Sequence, residues 1–241
     1  MTIDKQALAQ LWQQAFGDSR EFIDGFFRVG FNPDRCQVLQ QNGKIAAALY
    51  WFDCLWNGKK VAYLYAVATD LAFRGQGLCR QLMAQTQLHL QENGYAGAVL
   101  VPGDDGLYRM YEKMGYSGFC PMERRVVLSA GQPVALQVLT PAEYEAQQPE
   151  SGVRHTRTAL EFYGTYGQFY AFAGGVFCAA REGQTLYIQE FFGDSAALPG
   201  IGAALGAKEV RVRLPGGDKP FAMYYPFTDK AIPDTFTMAL D

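Results

Sequence analysis

Apolar positions along the chain change period several times, and each change marks an element. Leu8, Leu11, Trp12, Ala15 and Phe16 recur at helical spacing, so residues 4–16 predict an amphipathic helix. Gly17-Asp18-Ser19 is a turn, and Asp18 or Ser19 can cap a second helix over Glu21 to Arg28. The period then shortens. Cys36 to Gln40, Ile45 to Asp53 and Val61 to Ala68 read as strands, with Asn42-Gly43 and Asn57-Gly58 as hairpin signals. A glycine turn follows, then a helical pattern that ends near Gly94. Gly97 to Pro102 reads as a short buried strand, and Gly106 to Met114 as a helix with Gly115 as its natural end. Tyr116 to Cys120 and Arg124 to Ser129 can supply two more strands.

The second half has a related rhythm. Residues 131–155 are rich in Gln, Pro and Glu and predict a connection with a short helix from Pro141. Phe169 to Ala173, Gly175 to Arg181 and Thr185 to Phe192 read as strands, with Glu182-Gly183-Gln184 turning between the last two. A small-residue helix over Ala196 to Leu205 follows, then strands at Glu209 to Leu214 and Thr235 to Leu240. Strand, strand, helix, strand is also the order within residues 36–101. The pattern divides the chain into residues 1–130 and 131–241.

The chemistry concentrates in Arg74-Gly75-Gln76-Gly77-Leu78-Cys79, between a strand and a helix start. The glycines allow backbone conformations and close approaches that other residues resist. The first N–H groups of a helix are unpaired and attract anions, and Arg74 adds a planar cationic fork. A phosphorylated ligand suits this place. A nucleotide P-loop would need Lys-Ser/Thr after the last glycine, where Leu78-Cys79 stands; a dinucleotide loop would need glycine at Arg80. An acyl-CoA loop fits the core Arg74-Gly75-Gln76-Gly77, and a plain tight turn fits it too.

A second motif, Tyr111-Glu112-Lys113-Met114-Gly115-Tyr116, lies downstream of the loop. The two motifs in this order, with the strand and helix pattern around them, resemble the GNAT superfamily of acyl-CoA N-acyltransferases. The likeness covers residues 1–130. It implies an α/β (α+β) fold with a mixed, mostly antiparallel sheet flanked by helices. Residues 131–241 then read as a smaller, degenerate GNAT-like half, giving a tandem GNAT chain. There Gly193-Asp194-Ser195 stands in place of the arginine–glycine loop, and Pro220 to Pro226 in place of the tyrosine helix.

The resemblance implies acetyl-CoA as cosubstrate and no metal. Its pyrophosphate would rest on the N–H groups of Arg74, Gly75, Gln76, Gly77, Leu78 and Cys79. Its pantetheine amides would pair with the backbone of Val67, Ala68 and Thr69. Tyr111 holds the family position of the acid that protonates the leaving thiolate, with Tyr108 the runner-up. A phenol near ~10 and a thiol near ~8.5 make that assignment chemically sensible. Asp105 stands where many members have a cofactor-contacting Asn, and Leu71 where they often have Pro. Asp70, Asp104, Glu190 or a water chain remain open as the general base. His89 and His155 stand far apart in sequence and read as structural. The acceptor would be a primary amine of a small molecule or peptide. The Gly17 to Arg20 turn and the aromatic segment Phe162 to Tyr170 are candidates to shape its side. A non-catalytic acyl-CoA sensor and an aminoacyl or thiol-ligating tandem enzyme are the alternative classes.

Composition adjusts this picture only slightly. Across 241 residues, 49% are hydrophobic and 19% charged, enough for a core and for solubility. No apolar run approaches the ~20 residues of a spanning helix, and the N-terminus lacks a signal-peptide pattern. The five cysteines form no C-x-x-C pair and read as reduced cytoplasmic thiols. A net charge of −3 argues against nucleic acid, and no membrane partner is expected. A homodimer is a possible assembly.

Overall fold

A computed structural model describes residues 4–228 and 231–240. The chain forms two compact units. The first comprises Met1–Ser117 with Met223–Ile232, the second Gly118–Ala222 with Pro233–Asp241. This border lies earlier than residue 130 and gives a late segment back to the first unit.

In the first unit, α1 (Lys5–Phe16) begins at Asp4, whose carboxylate accepts from the N–H groups of Gln6 and Ala7. α2 (Arg20–Gly25) begins at Ser19, whose hydroxyl accepts from the N–H of Phe22. The helix expected through Arg28 changes character at Phe26. Phe26–Gly30 is a π-turn, closed by Phe31 N–H donating to Phe26 O at 2.8 Å. Three antiparallel strands follow: β1 (Cys36–Gln41), β2 (Lys44–Trp56) and β3 (Lys59–Thr69). Both hairpins turn through a pair of left-handed residues, Asn42-Gly43 and Asn57-Gly58, which suits the twist of the flanking strands. α3 (Leu78–Glu92) carries the chain to β4 (Gly97–Leu100), which runs parallel to β3, and α4 (Asp105–Glu112) comes next. Leu49, Trp51, Ala62, Leu64 and Ala98 of the sheet pack with Leu82, Met83 and Leu90 of α3 and Tyr111 of α4 in one buried cluster.

The second unit contains β5 (Ser117–Leu128), β6 (Gln137–Leu139), α5 (Pro141–Gln147), β7 (Arg154–His155), α6 (Arg157–Tyr163), β8 (Gln168–Phe172), β9 (Gly175–Glu182), β10 (Thr185–Phe192), α7 (Leu198–Ala204) and β11 (Glu209–Pro226). β8, β9 and β10 form an antiparallel meander, and β11 returns parallel to β10 after α7. Two helices, a three-strand meander, a helix and a parallel strand thus occur twice in the chain. The fold class is a mixed α/β one with mostly antiparallel strands and flanking helices, as expected from the sequence.

Several expected boundaries moved for local reasons. The two strands expected over Tyr116 to Cys120 and Arg124 to Ser129 are one, β5, with a left-handed Cys120 (φ 54) before Pro121. The strand expected to end at Leu214 continues through Gly216 and Gly217 to Pro226. Thr235 to Leu240 is not a strand. Phe236 to Leu240 are buried but irregular, and side chains anchor them inside the second unit. The Thr237 hydroxyl donates to Glu190, and His155 Nε2 donates to Met238 O at 2.9 Å. The aromatic segment Phe162 to Tyr170, which suits a core as well as an acceptor wall, forms α6 and β8, with Phe162, Tyr163 and Phe169 in the core.

Each unit contains a strand from the other half of the sequence. Met223–Pro226, the end of β11, pairs antiparallel with Leu100–Gly97 of β4. The Tyr224 ring fills the space over Gly97, where a Cβ would overlap its phenol, and packs 5.8 Å from Trp56. β5 pairs with β11 in the second unit. A fragment of residues 1–130 should therefore be insoluble or lack a cooperative unfolding transition, because β4 becomes an open apolar edge. A soluble fragment with native near-UV dichroism would contradict this.

Burial lowers the His155 pKa from its ordinary 6.5 to about 4. The unfolded chain then binds a proton between pH 6.5 and 4 while the folded ring does not. Stability from this group is full above pH 6.5 and falls as pH drops to about 4, by about 3 kcal/mol. Buried Glu190, whose pKa is raised by burial, acts in the opposite sense. Urea titrations at several pH values should show a flatter acid decline for His155→Phe than for the parent. Equal slopes would rule out the His155 contribution.

Candidate active site

Two breaks in backbone pairing place the site in the first unit. The register of β2 and β3 passes from Tyr50↔Tyr65 to Ala48↔Ala68, so Ala66 and Val67 oppose Leu49 alone. This is a β-bulge, and Ala66 takes its left-handed conformation with φ 48. The parallel pairing of β3 with β4 covers Val61–Tyr63 and goes no further. β4 ends at Leu100, so beyond Tyr63 β3 has no ladder to β4 and presents a strand edge at Val67, Ala68 and Thr69.

The loop lies just past that edge. Asp70 N–H donates to Ala46 O, and its carboxylate accepts from Ala72 N–H at 2.8 Å, which shapes the turn Leu71–Phe73. Arg74 Nε donates to Thr69 O at 3.3 Å, tying the exposed guanidinium back to the end of β3. Gly75 and Gly77 have φ 77 and 78, and a Cβ at either would meet open space. Helical bonding in α3 begins with Gln81 N–H donating to Gly77 O, and no side chain caps the helix. The N–H groups of Leu78, Cys79 and Arg80 precede that first bond, the arrangement that favours an anion. Gln76 is exposed beside the glycines, Leu78 is buried in the core, and Cys79 packs against it half-buried.

α4 brings the tyrosines to the same cluster. Asp104 caps it by accepting from Leu107 N–H at 2.7 Å, and exposed Asp105 is its first residue. Tyr111 is buried with Leu78, while Tyr108 packs half-buried against this core. The Tyr111 ring meets Tyr116 edge-on at 5.9 Å. Burial pushes its phenol well above the usual tyrosine range, with neighbouring Cys79 and Tyr116 adding to the rise. Tyr111 is thus a neutral hydrogen-bond donor across the working pH range. Gly115 has φ 92, and the Tyr225 ring lies 2.9 Å from where its Cβ would stand.

Of the sequence-predicted loop residues, Leu78 and Cys79 therefore meet Tyr111 at the start of α3, whereas Arg74 to Gly77 and Asp105 are exposed. Of the carboxylates considered as base, Asp70 and Asp104 are turn and helix caps. Glu190 is buried in the second unit, where it accepts from Tyr144 at 2.8 Å and from Thr237. His89 is exposed and lies 5.6 Å from the Trp51 ring. Sequence reasoning missed the bulge and the π-turn. The run Ala66-Val67-Ala68 carries no side-chain signal for an extra residue, and a Gly at each end of Phe26–Val29 was the only hint of the other. Among the described residues, no group of His, Cys, Asp or Glu could hold a metal ion. No described helix is long and apolar enough to cross a membrane.

Residues 2–119 match the model of the acetyltransferase (GNAT) domain. This segment is thus a GNAT domain, and the chain as a whole has the fold of GNAT acetyltransferases. Its fold is similar to that of a GCN5-related N-acetyltransferase from Kribbella flavida, at 16% identity and TM-score 0.68, covering 93% of this chain and 69% of the other. A GCN5-related N-acetyltransferase from Anabaena variabilis has 16% identity and TM-score 0.67, with coverage of 92% and 70%. A tandem GNAT protein from the clavulanic acid biosynthesis pathway has 13% identity and TM-score 0.57, with coverage of 94% and 96%. No curated protein matches the chain.

Gly77→Ala should cost about 1–2 kcal/mol of stability through its left-handed backbone and weaken acetyl-CoA binding further. Arg74→Ala should leave stability unchanged and weaken acetyl-CoA about 10-fold or more. Calorimetric titration of both variants checks this, and unchanged affinity in both would remove the loop from the site.

Proposed function

We propose that the protein is an N-acetyltransferase that moves an acetyl group from acetyl-CoA to a primary amine by direct attack in a ternary complex. The observation that carries this reading is the alignment, within one unit, of the unpaired β3 edge with the glycine loop at the uncapped start of α3. The residues present fit the cosubstrate. A diphosphate suits the loop N–H groups and Arg74. Pantetheine amides suit the free backbone at Val67, Ala68 and Thr69, where they add a partial strand.

The amine enters neutral. Its nitrogen forms a bond to the thioester carbonyl carbon, the carbon–sulfur bond breaks, and sulfur leaves with the electron pair. One proton leaves the nitrogen, and one reaches the sulfur. N–H groups near the bulge at Val67 and Ala68 stabilise the oxyanion. Tyr111 donates toward the sulfur. Because burial keeps its phenol a weak acid, its hydrogen bond strengthens only as charge builds on the thiolate, which favours the transition state over the ground state. Tyr108 is the neighbouring donor if Tyr111 is removed.

The second unit is read as a GNAT-like half without its own cosubstrate site, so one acetyl-CoA should bind per chain. A cytoplasmic setting and a small-molecule or peptide acceptor belong to the same reading. Calorimetry should give one acetyl-CoA site, and amines should accelerate thiol release. Tyr111→Phe should lower turnover by ~10²-fold while acetyl-CoA affinity stays unchanged. Full turnover in that variant would transfer the donor role to Tyr108 or water, and a chain that binds no acetyl-CoA would end the proposal.

A further inference from the structure

Tyr111 is the penultimate residue of an eight-residue helix, and a helix that short has little stability of its own. Its backbone is pinned where the helix ends. Tyr111 O accepts from Met114 N–H at 2.9 Å and from Tyr116 N–H at 3.1 Å, and Gly115 completes the turn with φ 92. These bonds fix the Cα of Tyr111. The direction of its phenol is left to side-chain packing.

That packing forms a row of rings. Tyr116 meets Tyr111 edge-on at 5.9 Å, Tyr225 lies 5.3 Å from Tyr116, and Phe227 lies 5.7 Å from Tyr225. Tilted and edge-on contacts of this kind favour set angles between rings. Tyr116 is fully buried. Its hydroxyl stands beside Gln87, yet neither that hydroxyl nor Gln87 Nε2 completes a hydrogen bond among the described residues. The neighbouring rings therefore orient Tyr116. Tyr225 has a firmer seat. It pairs with Ala98 in the ladder of β4 with β11, and just beyond it Phe227 N–H donates to Ala96 O at 2.8 Å. Its ring also covers Gly115, the residue that ends the tyrosine helix. The row thus runs from a hydrogen-bonded strand to the phenol of Tyr111.

Resting on the reading of Tyr111 as the donor to the leaving sulfur, we infer that Tyr225 is a positioning residue for acyl transfer, acting through the Tyr116 ring to hold the direction of the Tyr111 phenol. Tyr225 touches neither cosubstrate nor acceptor in this role. It comes from the end of β11, far beyond the GNAT segment in sequence, so the late part of the chain supplies a piece of the geometry of the first unit's site.

The test is a double-mutant cycle on the full chain. Calorimetry first establishes acetyl-CoA binding. Thiol release from acetyl-CoA is then measured with hydroxylamine, a small amine that is neutral near physiological pH and needs no shaped acceptor site. Tyr225→Leu should lower kcat about 10-fold, because a misplacement of about 1 Å is enough for a loss of that order. Tyr225→Phe should keep the parent kcat, and acetyl-CoA affinity should be unchanged in both. In a Tyr111→Phe background, Tyr225→Leu should cost less than about twofold, since a residue that acts through a hydroxyl has nothing to act on once it is gone. Equal losses in both backgrounds overturn the inference and leave the acetyltransferase reading intact. So does a loss that Tyr225→Phe shares, a change confined to KM, or an unchanged kcat in Tyr225→Leu. Full turnover in Tyr111→Phe alone removes the donor role and the inference with it. Absence of acetyl-CoA binding, or thiol release no faster than without the protein, overturns the inference and the acetyltransferase reading together. Near-UV dichroism checks that each variant is folded, and Tyr225→Met runs through the same cycle, so the comparison stands even if Tyr225→Leu fails to fold.

Discussion

Backbone hydrogen bonding governs this structure, and its most consequential feature is where it stops. A buried strand needs partners for every N–H and C=O. β3 has them from β2 along most of its length, but from β4 only at Val61–Tyr63. The bulge at Ala66 and Val67 interrupts the β2 pairing a few residues beyond the last β4 pair. What remains is an edge of amide groups beside a core, next to a helix start with further unsatisfied N–H groups. Such groups need water, or a ligand that is itself built from amides and phosphates. The left-handed φ of Ala66, unfavourable for a residue with a Cβ, is held by the pairing on both sides of it.

The other edge of β4 has a different solution. It is closed by Met223–Pro226, which arrives from the far end of the chain. Tyr224 sits over Gly97 and Tyr225 over Gly115, so two glycines of the first half are small because of two tyrosines of the second. This couples the formation of the first unit to residues far away in sequence. It also places a high-sequence-separation contact at the base of the tyrosine helix. A contact of that kind costs loop entropy before it returns packing, so the first unit is expected to consolidate late in folding.

Much of the frame was legible because local chemistry is strong. The Asn-Gly hairpins, the Ser19 cap and the glycines of the loop all act within a few residues. The loop, Tyr111 and Gly115 were legible for the same reason, since each is a motif with a fixed local geometry. What escaped was decided at a distance. The bulge depends on the register of β2 against β3, which no single segment states. The continuation of β11 past Pro215-Gly216-Gly217 depends on a partner strand waiting beyond it. Thr235 to Leu240 has the alternation of a strand, yet its burial is satisfied by Glu190, His155 and Cys178 rather than by a ladder.

The second unit repeats part of this backbone frame with different surroundings. β10 also gains an extra residue, between Ile188 and Glu190, and its parallel pairing with β11 also stops there, at Ile188↔Val212. The break in hydrogen bonding is thus repeated. Its surroundings are not. Glu190 turns inward and is held by Tyr144 and Thr237, groups of the protein itself. In the turn toward α7, Asp194 spends its carboxylate on Ala196 N–H, and the helix that follows is a short one with Pro199 near its start. A Cβ at Gly193 would strike the Phe172 ring, whereas one at Gly75 or Gly77 would meet nothing. The loop of the first unit is open and lined with donors; the turn of the second is closed and carries an anion of its own. A diphosphate needs several fixed donors and a cation together, so topology alone does not make the second turn an equivalent site. The two units differ in what lies beside the bulge: open loop backbone in the first, and side chains of the chain itself in the second.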